Sequence, residues 1–442
     1  MKKILCTILA LVMILAAFTG CGAAESEATE APEKAPAAEA TNAPVEDSSE
    51  ETVTLKFTTW RNMDEEIYNV LIEKFEAENP GIKVEFSANP DETTYVTTVK
   101  AGLQDGSGPD VFQLQPQNDF VTLAKAGVLM DLSDKDFMHN YIEGIEEVGR
   151  VDGSDYGFCQ CVNLLCNLYD KDVFAEKGYE VPNSWDEFLT LLDKMEADGY
   201  TGVSYCGATV RTASFSEAPI MNEIMGAAEY KAFLEGIDSG EIVELSANED
   251  FMRGMETMSQ YNKQDVFIDN AFSIDYGQSI SLFAQKQTPI LTLGSWTFLT
   301  AEADMPGINV GLFPIPTIDG TDTIYSTPGQ LTVINAATEH PEEAVKWLEF
   351  LADPENIAYY CSQAQASPTL QGVTAEFASA AIQQEMMDTK KVELLQIYNR
   401  TNTDLYAEHW TAMMENVMIN GADPAEEVAK MEAVLKDLNL KG

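Results

Sequence analysis

Two kinds of residue cluster in this sequence could do chemistry. The first is Cys159-x-Cys161-x4-Cys166, which raises the question of zinc. Zinc ligands usually come as C-x2-4-C with a second pair or histidines close by, and the chain has only His139, His340 and His409. The run G-F-C-Q-C-V-N-L-L-C reads instead as a buried strand using cysteine as a small hydrophobe. Asp131-x-x-Asp134-x-Asp136 lacks the alternating ligands and central glycine of a calcium loop and reads as a solvated turn. The second kind is a set of aromatic and amide groups that follow apolar runs: Trp60-Arg61-Asn62 after V-T-L-K-F-T-T, and Gln115-Pro116-Gln117-Asn118 after V-F-Q-L. An indole, a guanidinium and amides stack on and hydrogen-bond to a small molecule, and the shortage of charge in the second group favours a neutral one. The alternative for each is structural. Trp60 could pack beneath the helix that follows, Arg61 could be a surface charge rather than a hydroxyl or carboxylate clamp, and amides also suit turns. G-x-S-x-G, H-E-x-x-H and the phosphate-binding loop are absent, whereas 73 acidic residues leave a paired-carboxylate glycosidase or lyase open by counting alone.

The elements that must position these groups are legible from periodicity. Val53, Leu55 and Phe57 alternate with Thr54, Lys56 and Thr58, which is strand period. Ile67, Val70, Leu71 and Phe75 form one stripe of a helix that ends at Asn79-Pro80-Gly81, and Ile82, Val84 and Phe86 alternate again. Strand, helix and strand on short turns make a βαβ unit with parallel strands. Ligands bind beyond the carboxyl ends of such strands, where Trp60, Arg61 and Asn62 sit. Further along, the sequence predicts a helix over 95–103, a third strand over 111–114, a helix over 120–127 and the cysteine strand running on to Asp170. Ser184 with Glu187 three residues on is a capping box starting a helix through Met195. Strands are predicted at 201–205, 290–293, 309–316 and 330–334, and helices at 341–351 and through the terminal third. Residues 217–262 read as helical without clear boundaries. Trp185 and Trp347 lie within amphipathic helices and are assigned to the core.

At 442 residues the chain exceeds one compact core, so two lobes are expected. A formal charge of −47 excludes nucleic acid as a partner, because phosphate binding needs a basic face. Lys2 and Lys3, an apolar run from Ile4 to Phe18 and then Thr19-Gly20-Cys21 form a targeting signal too short for a comfortable membrane span. Small residues before a cysteine, with a polar tract after it, resemble a bacterial lipoprotein cleavage box, although Phe18 stands where leucine is usual. That resemblance implies a lipidated N-terminus at Cys21; an ordinary signal peptide is the alternative. Residues 21–51, acidic and without aromatic residues, read as a disordered linker. Five cysteines remain in the body, an odd number, and a body this large needs no disulfide staples.

The ordered motifs F-E-A-E-N-P-G-I-K-V-E-F, G-S-G-P-D-V-F, A-G-V-L-M-D-L, D-G-S-D-Y-G-F, L-Y-D-K-D-V-F-A-E-K-G-Y, V-P-N-S-W-D-E-F, L-T-L-G-S-W, V-G-L-F-P-I-P and H-P-E-E-A-V-K-W-L-E-F-L cover most of 52–442. Together they resemble the extracellular solute-binding proteins (family 1) of ABC importers. The resemblance implies an α/β, two-lobed periplasmic-binding-protein type II fold with an interdomain ligand cleft and hinge crossovers. Lobe one would take 52–158 plus 315–353, and lobe two 159–314 plus 354–442. It implies a non-enzymatic receptor without cofactor, a monomer anchored by lipid on a Gram-positive cell surface. The receptor would capture a mono- or oligosaccharide and deliver it to permease subunits driven by a cytoplasmic ATPase. A carbohydrate-active enzyme and a receptor for a non-sugar solute are the alternatives. The family places a stacking aromatic at Trp296 and another at Trp410, and polar sugar contacts at Gln115, Gln117 and Asn118. Asn163 falls near a position that often holds a carboxylate, a departure from the pattern. Arg211, Tyr276 and Gln330 complete the candidate set from cleft-side loops.

Overall fold

The structure, a computed structural model, describes residues 52–90, 92–207, 213–320, 323–376, 391–394 and 405–438. The signal, Cys21, the linker and Arg211 lie outside the described residues. The first sheet begins as the alternation dictates. β1 (Val53–Thr59) pairs in parallel with β2 (Ile82–Ala88) across α1 (Glu65–Glu78), in a register that sets Phe57 beside Phe86. After α2 (Glu92–Asp105), β3 (Val111–Leu114) joins the other side of β1, and α3 (Asn118–Lys125) follows. The hairpin β4 (Arg150–Val151) and β5 (Ser154–Asp155) turns through Asp152 and Gly153, both at positive φ.

The cysteine run is buried strand, as predicted, but it serves two sheets. β6 (Gly157–Cys159) closes the first sheet, and after Gln160 the chain enters β7 (Cys161–Asp170), all ten residues of which are buried. β7 is the spine of the second sheet. It pairs antiparallel with β8 (Ile290–Gly294), β9 (Val310–Phe313) and β10 (Thr323–Pro328). Its side chains alternate between two cores, which is why it shows no polar face. Leu165 and Tyr169 join a helical core rich in methionine (Met221, Met255, Met258, Met414, Met431), whereas Leu164, Cys166 and Leu168 pack with Ile280, Phe283 and Leu291. Around it stand α4 (Lys171–Lys177), α5 (Trp185–Ala197), α6 (Ala213–Met225), α7 (Ala227–Asp238), α8 (Glu249–Lys263), α9 (Tyr276–Ala284) and α10 (Thr297–Asp304). Ser184 caps α5 by accepting from the Glu187 amide at 3.2 Å, but the Glu187 carboxylate takes the Asn183 amide at 2.8 Å rather than that of Ser184. The strand expected at 201–205 is only a pair of isolated bridges, Val203 with Phe267 and Ser204 with Leu291, because Gly202 at φ 109° bends the chain there.

β11 (Leu331–Ile334) returns to the first sheet, antiparallel between β3 and β6, giving the order β2-β1-β3-β11-β6. α11 (Pro341–Leu351) buries Trp347 against Phe57 and Phe75, and α12 (Pro354–Ala364) adds Ile357, Tyr360 and Cys361 to the same core. Two lobe boundaries therefore move. Residues 315–328 belong with the second sheet, because Ile315 and Tyr325 pack in its helical core, and 354–370 belong with the first. The chain crosses at 159–163, at 328–331 and again between Ala375, still packed on the first core, and Lys391 in the second sheet. β12 (Ser367–Pro368) pairs with Cys161 and Val162 on the way, and β13 (Lys391–Leu394) lies parallel to β10. All five body cysteines are free and buried, and burial pushes the Cys161 thiol up to about 12. No helix among the described residues is long and apolar enough to cross a membrane.

Candidate functional site

The carboxyl ends of β1, β3 and β6 meet the amino end of β11, because β11 runs the opposite way. Polar residues that would be out of place in a sheet core collect at that edge. The Thr59 hydroxyl donates to Gln113 Oε1 at 2.6 Å and accepts the Arg61 amide at 3.1 Å, which turns the chain out of β1. Arg61 then reaches the next turn. Its Nε donates to Asp64 Oδ2 at 2.5 Å and its Nη2 to Asp64 Oδ1 at 3.1 Å, a bidentate fork. Tyr360 donates to Asp64 Oδ2 at 2.7 Å, and Gln330 Nε2 donates to the Tyr360 hydroxyl at 2.6 Å. Asp64 is wholly buried and Arg61 is 8% exposed. Behind them the Tyr68 hydroxyl accepts from Gln113 Nε2 at 2.6 Å and donates to Gln160 Oε1 at 3.0 Å. Burial alone would lower the Arg61 pKa, but the Asp64 carboxylate outweighs it, and the guanidinium is held more firmly charged than in water. Burial first and Asp64 second raise both Tyr68 and Tyr360 far above the usual phenol range, so both are neutral donors.

The second wall is aromatic. Ser295 extends the β7–β8 ladder by one step, its amide donating to the Leu164 carbonyl at 2.9 Å and its hydroxyl accepting the Leu164 amide at 3.1 Å. Trp296 comes next and its indole folds back across Gly294. A Cβ on Gly294 would stand only 1.9 Å from the indole Cζ3, so this close approach admits no side chain. Tyr276 opens α9 behind Asp275, which makes a capping box with Gln278. Burial pushes the Tyr276 hydroxyl up; the Arg61 guanidinium and a hydrogen bond with Trp296, whose indole can only donate, pull the other way. The charge of Arg61, at the end of the first strand, thus acts on a tyrosine from the second lobe. Tyr276 is thus hydrogen-bonded to Trp296 and lies within the field of Arg61.

The remaining candidates divide. Trp60 is half-buried and packs on the first core, its ring 5.7 Å from that of Tyr95. Gln115 is half-buried, Gln117 is exposed, and Asn118 opens α3. Asn163 is buried on β7, opposite Thr327, on the face that carries Leu165 and beside Gly329 at the second crossing. Gln330 is buried in the first wall as an orienting group rather than on a loop surface. Trp410 does not join the site: it is wholly buried in the methionine-rich core, 5.6 Å from the Phe251 ring, because its helix faces α8. Trp347 is core as expected, and Trp185 packs half-buried beside Tyr261. Sequence reading missed Asp64, which the i, i+3 spacing from Arg61 could have flagged, and Tyr360, which lies 296 residues from Asp64 and gave no signal.

The sequence profile of the family described as bacterial extracellular solute-binding protein matches residues 61–358. The chain belongs to this family. The match starts at Arg61 and ends just short of Tyr360, so it holds β1's terminal turn, Tyr276 and Trp296 within one family domain. This solute-binding protein is 25% identical over 319 residues to the multiple sugar-binding protein of Streptococcus mutans, covering 71% of this chain and 74% of that one. Its fold is also that of RafE from Streptococcus pneumoniae in the apo form (TM-score 0.68, 24% identity, 89% of this chain and 99% of that one). A chitin oligosaccharide binding protein superposes with a TM-score of 0.70 at 21% identity, covering 89% of this chain and all of that one. The solute-binding protein is thus a two-lobed receptor of the type II fold, from a family that binds rather than transforms.

Proposed function

We propose that this solute-binding protein captures a mono- or oligosaccharide between its two lobes and delivers it to the permease of an ABC importer. The observation that carries the reading is a guanidinium whose Nη1 has no acceptor among the described residues, acting electrostatically on an aromatic pair, Tyr276 and Trp296, of the other lobe. A sugar ring has an apolar C–H face and a rim of hydroxyls, and it matches such a pair of walls. The relatives support it by name: RafE is described in complex with raffinose, and others bind multiple sugars or chitin oligosaccharides. Ligand touches both walls only when the lobes are closed, so binding shifts the population toward the closed form that a permease can recognise. The sugar is released unchanged, and no chemistry is assigned to the acidic residues. Cys21 carries the lipid that tethers a monomer to the outer face of a Gram-positive membrane, with 22–51 as spacer.

The test is thermal unfolding of the purified protein against neutral mono- and oligosaccharides, polyols, amino acids and peptides. A ligand that binds only the native state raises the midpoint with concentration. A sugar-specific rise that is lost in Trp296→Ala supports the reading; a rise with a peptide or amino acid alone contradicts the saccharide assignment.

A further inference from the structure

The first wall contains one cation and one anion, and their geometry bears on which sugars can enter. Asp64 is wholly buried and its oxygens are committed within the protein: Oδ2 to Arg61 Nε and the Tyr360 hydroxyl, Oδ1 to Arg61 Nη2. It offers a ligand nothing directly. What it does is cancel the guanidinium charge. Gln330, through Tyr360, holds the carboxylate in line with the fork. Among the described residues Arg61 Nη1 has no acceptor, so the group left for a ligand is a donor edge on a neutral ion pair.

Resting on the carbohydrate reading above, we propose that Asp64 sets the charge specificity of the cleft, making Arg61 a donor to sugar hydroxyls and excluding uronic acids and sugar phosphates. An arginine alone would be a carboxylate and phosphate receptor, because its fork matches those anions. With one edge already occupied by a buried carboxylate, a second anion on the other edge leaves a net negative charge in a desolvated space. That charge lies inside a chain of formal charge −47, and like charges in a dry interface are strongly unfavourable. A hydroxyl brings no such charge. Asp64 is therefore a specificity-determining residue that never touches the ligand.

The experiment is a calorimetric titration of the purified protein with matched pairs: raffinose, stachyose and chitotriose, each against its counterpart with one C6 alcohol oxidised to the carboxylate. The wild-type protein is expected to bind a neutral member and to bind its acid counterpart about a hundredfold more weakly, the size of a like-charge penalty in an interface. Asp64→Asn keeps the shape and an acceptor for Arg61 and Tyr360, removes the charge, and is expected to narrow or reverse that preference. Equal wild-type affinity for the two members overturns the proposal, and it does so without any variant, so a failure of Asp64→Asn to fold does not shield it. A folded Asp64→Asn protein with an unchanged preference also overturns it. If no saccharide, neutral or acidic, binds the wild-type protein, the carbohydrate reading itself has failed, a different result from equal binding.

Discussion

The two walls of the cleft are built by opposite strategies. The first is a polar cluster seated on strand ends, in which Arg61, Asp64, Tyr360 and Gln330 hold one another and none can move alone. The second is an aromatic surface made by three consecutive residues, Gly294, Ser295 and Trp296, with Tyr276 laid against it. The polar wall fixes charge and direction, and its partners come from three distant parts of the chain. The aromatic wall supplies contact area, and most of it is local. Substitutions in the first should therefore disturb residues far apart in the chain, whereas those in the second should disturb mainly residues 294–296 and Tyr276.

The largest effect is expected from Asp64→Ala, which strands the buried Arg61 charge. Removing one member of a buried ion pair costs about 3–5 kcal/mol, read as a drop in the denaturant midpoint at unchanged slope. Gly294→Ala comes next. Its Cβ cannot coexist with the Trp296 ring, and overpacking of this kind costs about 1–3 kcal/mol. The double variant with Trp296→Ala should recover most of that stability without recovering binding, which a cycle of unfolding and binding measurements checks. Tyr360→Phe removes a donor from Asp64 and leaves Gln330 Nε2 unmatched; about 1–3 kcal/mol is expected, with weaker binding although Tyr360 touches no ligand. Trp296→Ala alone should cost less stability than these, because the ring is only half-buried, while weakening sugar binding by about 1–3 kcal/mol.

How much of this was legible follows from how local each wall is. The strand–helix–strand opening, the buried cysteine run and the L-T-L-G-S-W turn are written in consecutive residues, so β1, β7 and the place of Trp296 were readable. Tyr360 was not, because its role exists only when α12 folds back on α1 and the turn before it, and a tyrosine in an amphipathic helix reads as core. The second boundary of the first lobe failed for the same reason. V-G-L-F-P-I-P ends β9, but the proline-rich stretch after it folds back into the second lobe as β10 instead of crossing. Trp410 was misplaced because an indole on an amphipathic helix carries no mark of which face meets a ligand.

The smallest expected effect is on pH, and it lies away from both walls. Burial alone would raise Glu76, Glu427 and Glu432, but hydrogen bonds from Lys83 and Val84, from Lys430 and Asn416, and from Ser246 bring each below the ordinary carboxylate range. A depressed folded-state pKa contributes stability above the unfolded value and loses it as pH falls through the folded one. Stability should therefore decline gently on acidification below the carboxylate range, and more weakly in high salt, since these pairs sit near the surface. An unfolding series from neutral to acidic pH checks the sign.

The most direct test of the account is calorimetric titration of the wild-type protein, Trp296→Ala and Arg61→Ala with raffinose, stachyose and chitotriose. The account predicts a saturable heat with at least one sugar in the wild type, with each variant that folds binding it more weakly. Binding undiminished in both folded variants would contradict the placement of the ligand between Arg61 and Trp296.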